Sequence, residues 1–314
     1  MILITGGLGF IGAHTAKQFL DAGHEVVLTR YRVSREPEIL RKYLGNQAKV
    51  VDLDLANPLE TFDIFRQYKI TRVVHLATTA WGVTPAREFH TNMVGLMNLL
   101  EAARSAGVSR FVTTSSLAIY ASGSQATGPF FENSYHSVEV PLHGPTAYKQ
   151  MEEILALHYA DQTGLDVRVA RIAIIYGPLY RTLLNLPSQI VYSIVNGRPI
   201  SKAASSHYCD FCYVDDAAEG LYQLSGAPQL TSRIFNIGAG KGVNSEEVVA
   251  AAEKLGLNST ELAQVKSVIN WNENDYMDTS LAHNEFGYTP KFDILAGMAD
   301  YAQWAKNESL SGKS

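Results

Sequence analysis

Gly6, Gly9 and Gly12 stand in the run Thr5-Gly6-Gly7-Leu8-Gly9-Phe10-Ile11-Gly12, a G-x-x-G-x-x-G spacing between an apolar stretch and an amphipathic one. A strand that turns tightly into a helix uses glycine where backbone must approach a phosphate closely. The third glycine lets the helix pack against the strand. A helix opening near Phe10 and Ile11 would offer unpaired N–H groups and the positive end of its dipole to a pyrophosphate. Turns are rich in glycine for other reasons, so the pattern has weight only because a strand precedes it and a helix follows. The chemistry it implies is binding of a nicotinamide dinucleotide.

The end of the second apolar run selects between NAD and NADP. An acidic residue there would hold the ribose hydroxyls of NAD. This chain has Thr29-Arg30-Tyr31-Arg32 instead. Arg30 suits a 2′-phosphate and can stack on adenine, so NADP is favoured over NAD. A merely solvated basic turn would leave NAD usable. Cys209 and Cys212, the only two cysteines, form a C-x-x-C spacing. A structural zinc site wants four ligands, and a redox pair would open a helix, whereas CDFCYVDD reads as a strand and a turn. Their placement is read as incidental, and no metal is expected.

These groups need a frame. Short apolar runs at 1–5, 25–30, 49–51, 72–77, 110–115 and 166–174 alternate with helical patterns at 11–22, 87–106 and 146–163. That alternation predicts an α/β fold, a doubly wound parallel sheet of the Rossmann kind. Further helices are read at 245–255, with Ser245 as N-cap, and at 292–306. The expected organisation is a dinucleotide-binding domain of 1–176 plus 209–240. A smaller, interleaved C-terminal substrate domain takes 177–208 plus 241–314.

Composition sets the outer limits. The chain has 314 residues, 46% apolar and 18% charged, which is globular rather than disordered. A net charge of −5 argues against nucleic acid, whose phosphates need clustered cations. No apolar run approaches the roughly 20 residues that span a bilayer. MILITGGLGFIG begins directly as a strand without a leader-like basic stretch, so a cytoplasmic location is expected, with no membrane partner.

With these residues in place, the chain resembles the NAD-dependent epimerase/dehydratase family of extended short-chain dehydrogenases over nearly its whole length. TGGLGFIG is similar to that family's fingerprint. Asp52-Leu53 resembles its adenine-contacting pair. His75-Leu76-Ala77, with Thr78 after it, resembles the strand that lines the cofactor. Asn92 matches the helix asparagine of the proton relay. Ser115 to Tyr120 is similar to the catalytic serine segment, with Ser116 in the serine position. RIAIIYGP (171–178), DFCYVDD (210–216) and FNIGAG (235–240) resemble later signatures. The resemblance implies a tyrosinate base, a lysine one helical turn on that bonds the ribose, and a serine hydroxyl on the substrate oxygen. It also implies a homodimer through helices 87–106 and 146–163.

The family's Y-x-x-x-K is not intact. Lys149 falls in the lysine slot, but the tyrosine slot then holds Pro145, which cannot be an acid or base. Tyr148 lies about 100° round the helix from Lys149. Either Tyr148 replaces the base from a shifted position, or His143 or Tyr135 does, or the site binds cofactor with little turnover. Nucleotide-sugar members carry a diphosphate-contacting asparagine and arginine where this chain has Ile174 and Cys209. Arg181 and His207 could contact a different anion, although each reads more readily as a surface residue.

The reading that follows is an NAD(P)-dependent oxidoreductase acting on a small hydroxy or keto compound, not on a nucleotide sugar. Ser116, Tyr148, Lys149 and Asn92 are its candidate catalytic residues. The alternatives are a nucleotide-sugar epimerase or dehydratase, and a catalytically weak cofactor-binding regulatory or scaffold protein.

Overall fold

Ile2, Leu3 and Ile4 are buried in sequence, without the alternation of a half-exposed strand. A strand apolar on both faces must be covered on both faces, which is the condition of a parallel sheet. The computed structural model describes residues 1–32, 36–79, 82–120, 127–134, 144–180, 182, 184–195, 203–205, 208–256, 264–266 and 272–310. The first half runs β1 (Ile2–Thr5), α1 (Phe10–Asp21), β2 (Val26–Arg30), β3 (Ala48–Asp52), α2 (Pro58–Gln67), β4 (Arg72–His75), α3 (Pro85–Phe89), α4 (Gly95–Ser105) and β5 (Arg110–Ser116). Next come α5 (Gly144–Thr163), β6 (Val167–Ile172), β7 (Ile174–Tyr176), α6 (Leu186–Val195) and β8 (Ala203–Ser205). The remainder is β9 (Tyr208–Cys209), β10 (Phe211–Tyr213), α7 (Val214–Gly226), β11 (Ile234–Ile237), β12 (Val243–Asn244), α8 (Ser245–Lys254), β13 (Gln264–Lys266), α9 (Ser280–Phe286) and α10 (Ile294–Leu310).

The main sheet has seven parallel strands in the order β11-β6-β5-β4-β1-β2-β3. This is the expected doubly wound sheet. Its order reverses between β1 and β4, which opens a crevice at their C-terminal ends, where such folds take ligands. Leu99, Leu100 and Ala103 of α4 pack with Leu3, Val73 and Phe111 on one face of the sheet. Ala13, Ala16 and Phe19 of α1 pack with Ile4, Leu28 and Val74 on the other. No helix among the described residues is long and apolar enough to cross a membrane.

Three local expectations differ from the structure. The helix read over 87–106 contains a π-turn at His90–Val94, between α3 and α4. The N-cap of α8 is Asn244, not Ser245: its side chain accepts from Glu247 N at 2.8 Å while Glu247 bonds back to Asn244 N at 2.9 Å. That reciprocal pair satisfies two first-turn donors, so the helix begins at Ser245, one residue earlier than a serine cap would place it. The turn expected after Tyr213 is the start of α7, whose Ala217, Ala218, Leu221 and Leu224 are buried.

Candidate active site

The glycine turn lies at the crevice. Gly6 has φ +66°, a left-handed conformation that favours glycine, and a Cβ on it would meet Ala77 Cα at 3.1 Å. A Cβ on Gly12 would lie 2.2 Å from Gly6 O, so helix and turn approach as closely as backbone allows. Thr5 Oγ1 accepts from Leu76 N at 3.1 Å and Ala77 N at 3.2 Å, tying the end of β4 beside the turn. Gly9 caps α1 with no side-chain hydrogen bond, leaving the first-turn N–H groups of α1 to a ligand anion.

Two cavities meet across this turn and share Gly6, Gly9, Leu76, Thr78 and Thr79. One, of about 420 Å³, runs over the ends of β2 and β3 and includes Thr29, Arg30, Leu53, Asp54, Ala77 and Arg87. The other, of about 440 Å³, runs over β5 and β6 and takes in Phe10, Ile11, Gly12, Asn92, Ser116, Tyr148 and Lys149. An extended dinucleotide has this shape, with its adenosine over β2 and β3 and its nicotinamide over β5. The residues present therefore fit the cofactor.

Asp52 is the one named cofactor residue that lines neither cavity. It ends β3, with a side chain 76% exposed, and its carboxylate accepts from Arg30 Nε at 2.9 Å. Asp54 and Leu55, two residues on, line the cavity instead. The segment reads Val51-Asp52-Leu53-Asp54-Leu55, two Asp-Leu pairs in a row. Only the end of β3 distinguishes them.

The serine segment ends β5. Ser116 Oγ accepts from Ala118 N at 3.1 Å, which leaves its O–H to donate into the cavity. Asn92 is buried; its amide oxygen accepts from Thr79 N at 3.1 Å and its amide N–H donates to Thr79 Oγ1 at 3.3 Å. It thus holds the 78–79 backbone that the two cavities share. Lys149 Nζ donates to Thr114 O at 2.9 Å and to Glu152 Oε2 at 2.7 Å.

Tyr148 lines the same cavity but is tied away from the others. Its hydroxyl donates to Pro85 O at 3.0 Å, and desolvation together with the Glu88 carboxylate pushes its pKa up. A tyrosinate base needs the opposite shift. Pro145 lies in the first turn of α5, where a missing N–H costs nothing. Tyr135, His143, Arg181 and His207 lie outside the described residues. Ile172, Ala173, Ile174 and Ile175 give the far wall an apolar lining. Cys209 and Cys212 are buried and form no disulfide, and neither lines the cavity.

Glu152, Arg87 and the Asp54-Leu55 pair were not singled out in the sequence. Glu152 stands four residues after Tyr148, and nothing in its spacing marks it as buried against Lys149.

The model of the NAD dependent epimerase/dehydratase family matches residues 2–238. Among curated proteins, a UDP-glucuronate 4-epimerase of Thermodesulfobacterium geofontis (strain OPF15) is 28% identical over 97% of this chain and 95% of its own. UDP-glucuronic acid decarboxylase 6 of Arabidopsis thaliana is 26% identical over 95% of this chain and 86% of its own. Among solved structures, MoeE5 in complex with UDP-glucuronic acid and NAD superposes with a TM-score of 0.81 at 27% identity, over 98% of this chain and 99% of its own.

These relatives overturn the expectation of a small substrate that is not a nucleotide sugar. Ile174 and Cys209 show that two familiar positions cannot pair with a diphosphate. They do not show that nothing else can, because an anion is held by whichever donors surround it.

Proposed function

We infer the activity from one premise: the chain belongs to the NAD dependent epimerase/dehydratase family. Its substrate is a nucleotide sugar, of the UDP-hexuronate or UDP-hexose class, and its reaction passes through transient oxidation of a sugar hydroxyl to a ketone. The observation that carries this reading is the match, over nearly the whole chain, to relatives named for UDP-glucuronate chemistry. The cavity beside Ser116 and Lys149 supports it, since it continues past the dinucleotide track to Tyr180, Thr182 and Leu184.

When bound, the dinucleotide supplies the hydride acceptor and donor. The chain's own part is to hold and polarise. The first-turn N–H groups of α1 take the pyrophosphate. Ser116 donates its O–H to the reacting sugar oxygen, where negative charge develops as the sugar hydroxyl's proton passes to solvent in the open cavity. Lys149 places an ammonium beside the same end of the cavity, and Asn92 fixes the backbone between the two compartments. Incubation with UDP-glucuronate and UDP-glucose, with each dinucleotide, should yield an epimerised or decarboxylated sugar nucleotide by chromatography. Dinucleotide binding without conversion of any sugar nucleotide would instead support a weakly catalytic cofactor protein, a reading favoured by Pro145 in the tyrosine slot.

NADP is the proposed cofactor. Arg30 and Arg87 both line the adenosine compartment. The Arg30–Asp52 pair is exposed, and such pairs are weak enough to yield to a doubly charged phosphate. Arg30→Ala should weaken NADP about tenfold while leaving NAD unchanged, in calorimetric titrations. A wild type that prefers NAD by a like factor would reject the assignment. A homodimer through α4 and α5 belongs to the same proposal, since Met151 and Ile154 of α5 stay exposed on the protomer.

A further inference from the structure

Lys149 has a buried carboxylate partner that the reading above leaves without a task. Glu152 lies one turn along α5, 2% exposed, with Oε2 at 2.7 Å from Lys149 Nζ. A carboxylate so deeply buried is costly to keep, and an apolar side chain of similar size would often serve packing as well. Its neighbour Glu153 already has its own partner in Arg171, at 2.8 Å. Desolvation pushes the Glu152 carboxyl up and the Lys149 charge pulls it back. His75, fully buried nearby, is pushed down to about 3 by desolvation and by Lys149, so it remains neutral and contributes no charge.

We propose that Glu152 is a positioning residue that balances the charge of Lys149 and thereby sets the site's preference between the oxidised and reduced dinucleotide. This rests on the dinucleotide reading above. The oxidised nicotinamide ring carries a positive charge that the reduced ring lacks. An unbalanced ammonium at this end of the cavity would repel the oxidised form alone. Two of the three Nζ donors are held, by Thr114 O and by Glu152, which aims the side chain along β5 with its third donor left for the cavity. Because the carboxylate is out of water, its field at the ring is little screened.

The test is the ratio of dissociation constants for the oxidised and reduced dinucleotide. The reduced form is titrated by its fluorescence and the oxidised form by calorimetry. Glu152→Gln should raise that ratio about tenfold, as expected for one unbalanced charge at a separation of several ångströms. The double variant Lys149→Met/Glu152→Leu, which removes both charges, should return it to within about twofold of wild type. A purely structural role would weaken both forms together and leave the ratio unmoved, which overturns the proposal. Should Glu152→Gln fail to fold, Glu152→Met carries the same comparison. The ratio needs no sugar, so a chain that converts no sugar nucleotide fails the substrate reading without touching this one. A wild type that binds neither form overturns both.

Discussion

Replacing Arg171 with methionine is expected to destabilise the protein by about 3–5 kcal/mol, the cost of stranding a buried charge. Arg171 is 2% exposed in β6, and its guanidinium forks onto both oxygens of Glu153, at 3.0 and 2.8 Å. The same group donates to Tyr120 Oη and to Glu132 O, each at 2.8 Å. Burial pushes the Tyr120 phenol up to about 12, so it stays neutral and its O–H donates a hydrogen bond to Asn236 Oδ1. Without Arg171, the Glu153 carboxylate has no compensating charge. Arg171→Met/Glu153→Leu should recover most of the loss, because removing both charges avoids the stranded one. Urea unfolding measures the wild type and both variants. A single variant as stable as wild type would show that the pair contributes nothing, and a double variant no better than the single would place the loss in the Tyr120 and Glu132 contacts. Tyr120 is the last residue of the serine segment, so the network also bears on where Ser116 is held.

Ser116→Ala should lower kcat by about 10²–10³-fold, the usual loss when one donor to a developing oxyanion is removed. Tyr148→Phe should lower it by less than about tenfold, because its hydroxyl is already committed to Pro85 O and its ionisation is disfavoured. The comparison is made by steady-state turnover on the converted sugar nucleotide, with dinucleotide affinity measured beside it. Affinity should hold in both variants, since neither hydroxyl lies at the pyrophosphate turn. The reverse outcome, an inactive Tyr148→Phe beside an active Ser116→Ala, would make Tyr148 the proton acceptor from its shifted position and remove the serine from the role proposed for it.

Much of this molecule can be read before folding. The alternation of apolar runs with helical patterns specifies a parallel sheet, because strands apolar on both faces admit no other covering. The glycine spacing places the phosphate turn, since backbone geometry there tolerates no Cβ at Gly6 or Gly12. Ser116, Asn92 and Lys149 could be placed by motif, because each stands at a fixed distance from the end of a strand or the start of a helix. All three line the same cavity. The substrate class was misjudged from Ile174 and Cys209, because the lack of a contact at two positions is weak evidence about a ligand that many positions surround.

What only the tertiary structure decided are relations between residues whose sequence spacing is silent on depth or direction. Asp52 and Asp54 each precede a leucine, yet Asp54 lines the cavity with Leu53 and Leu55 while Asp52, at the end of β3, turns out to Arg30. Tyr148 and Lys149 are adjacent in the chain, yet one hydroxyl reaches α3 while the ammonium reaches β5. Glu152 and Glu153 are chemically identical neighbours, but one helix step turns the first onto Lys149 and the second onto Arg171. Local patterns record periodicity and turn chemistry, so the sequence determined the sheet and the phosphate turn. Pairing of buried charges depends on which faces meet when helix packs on sheet, and that is settled only when the chain is folded.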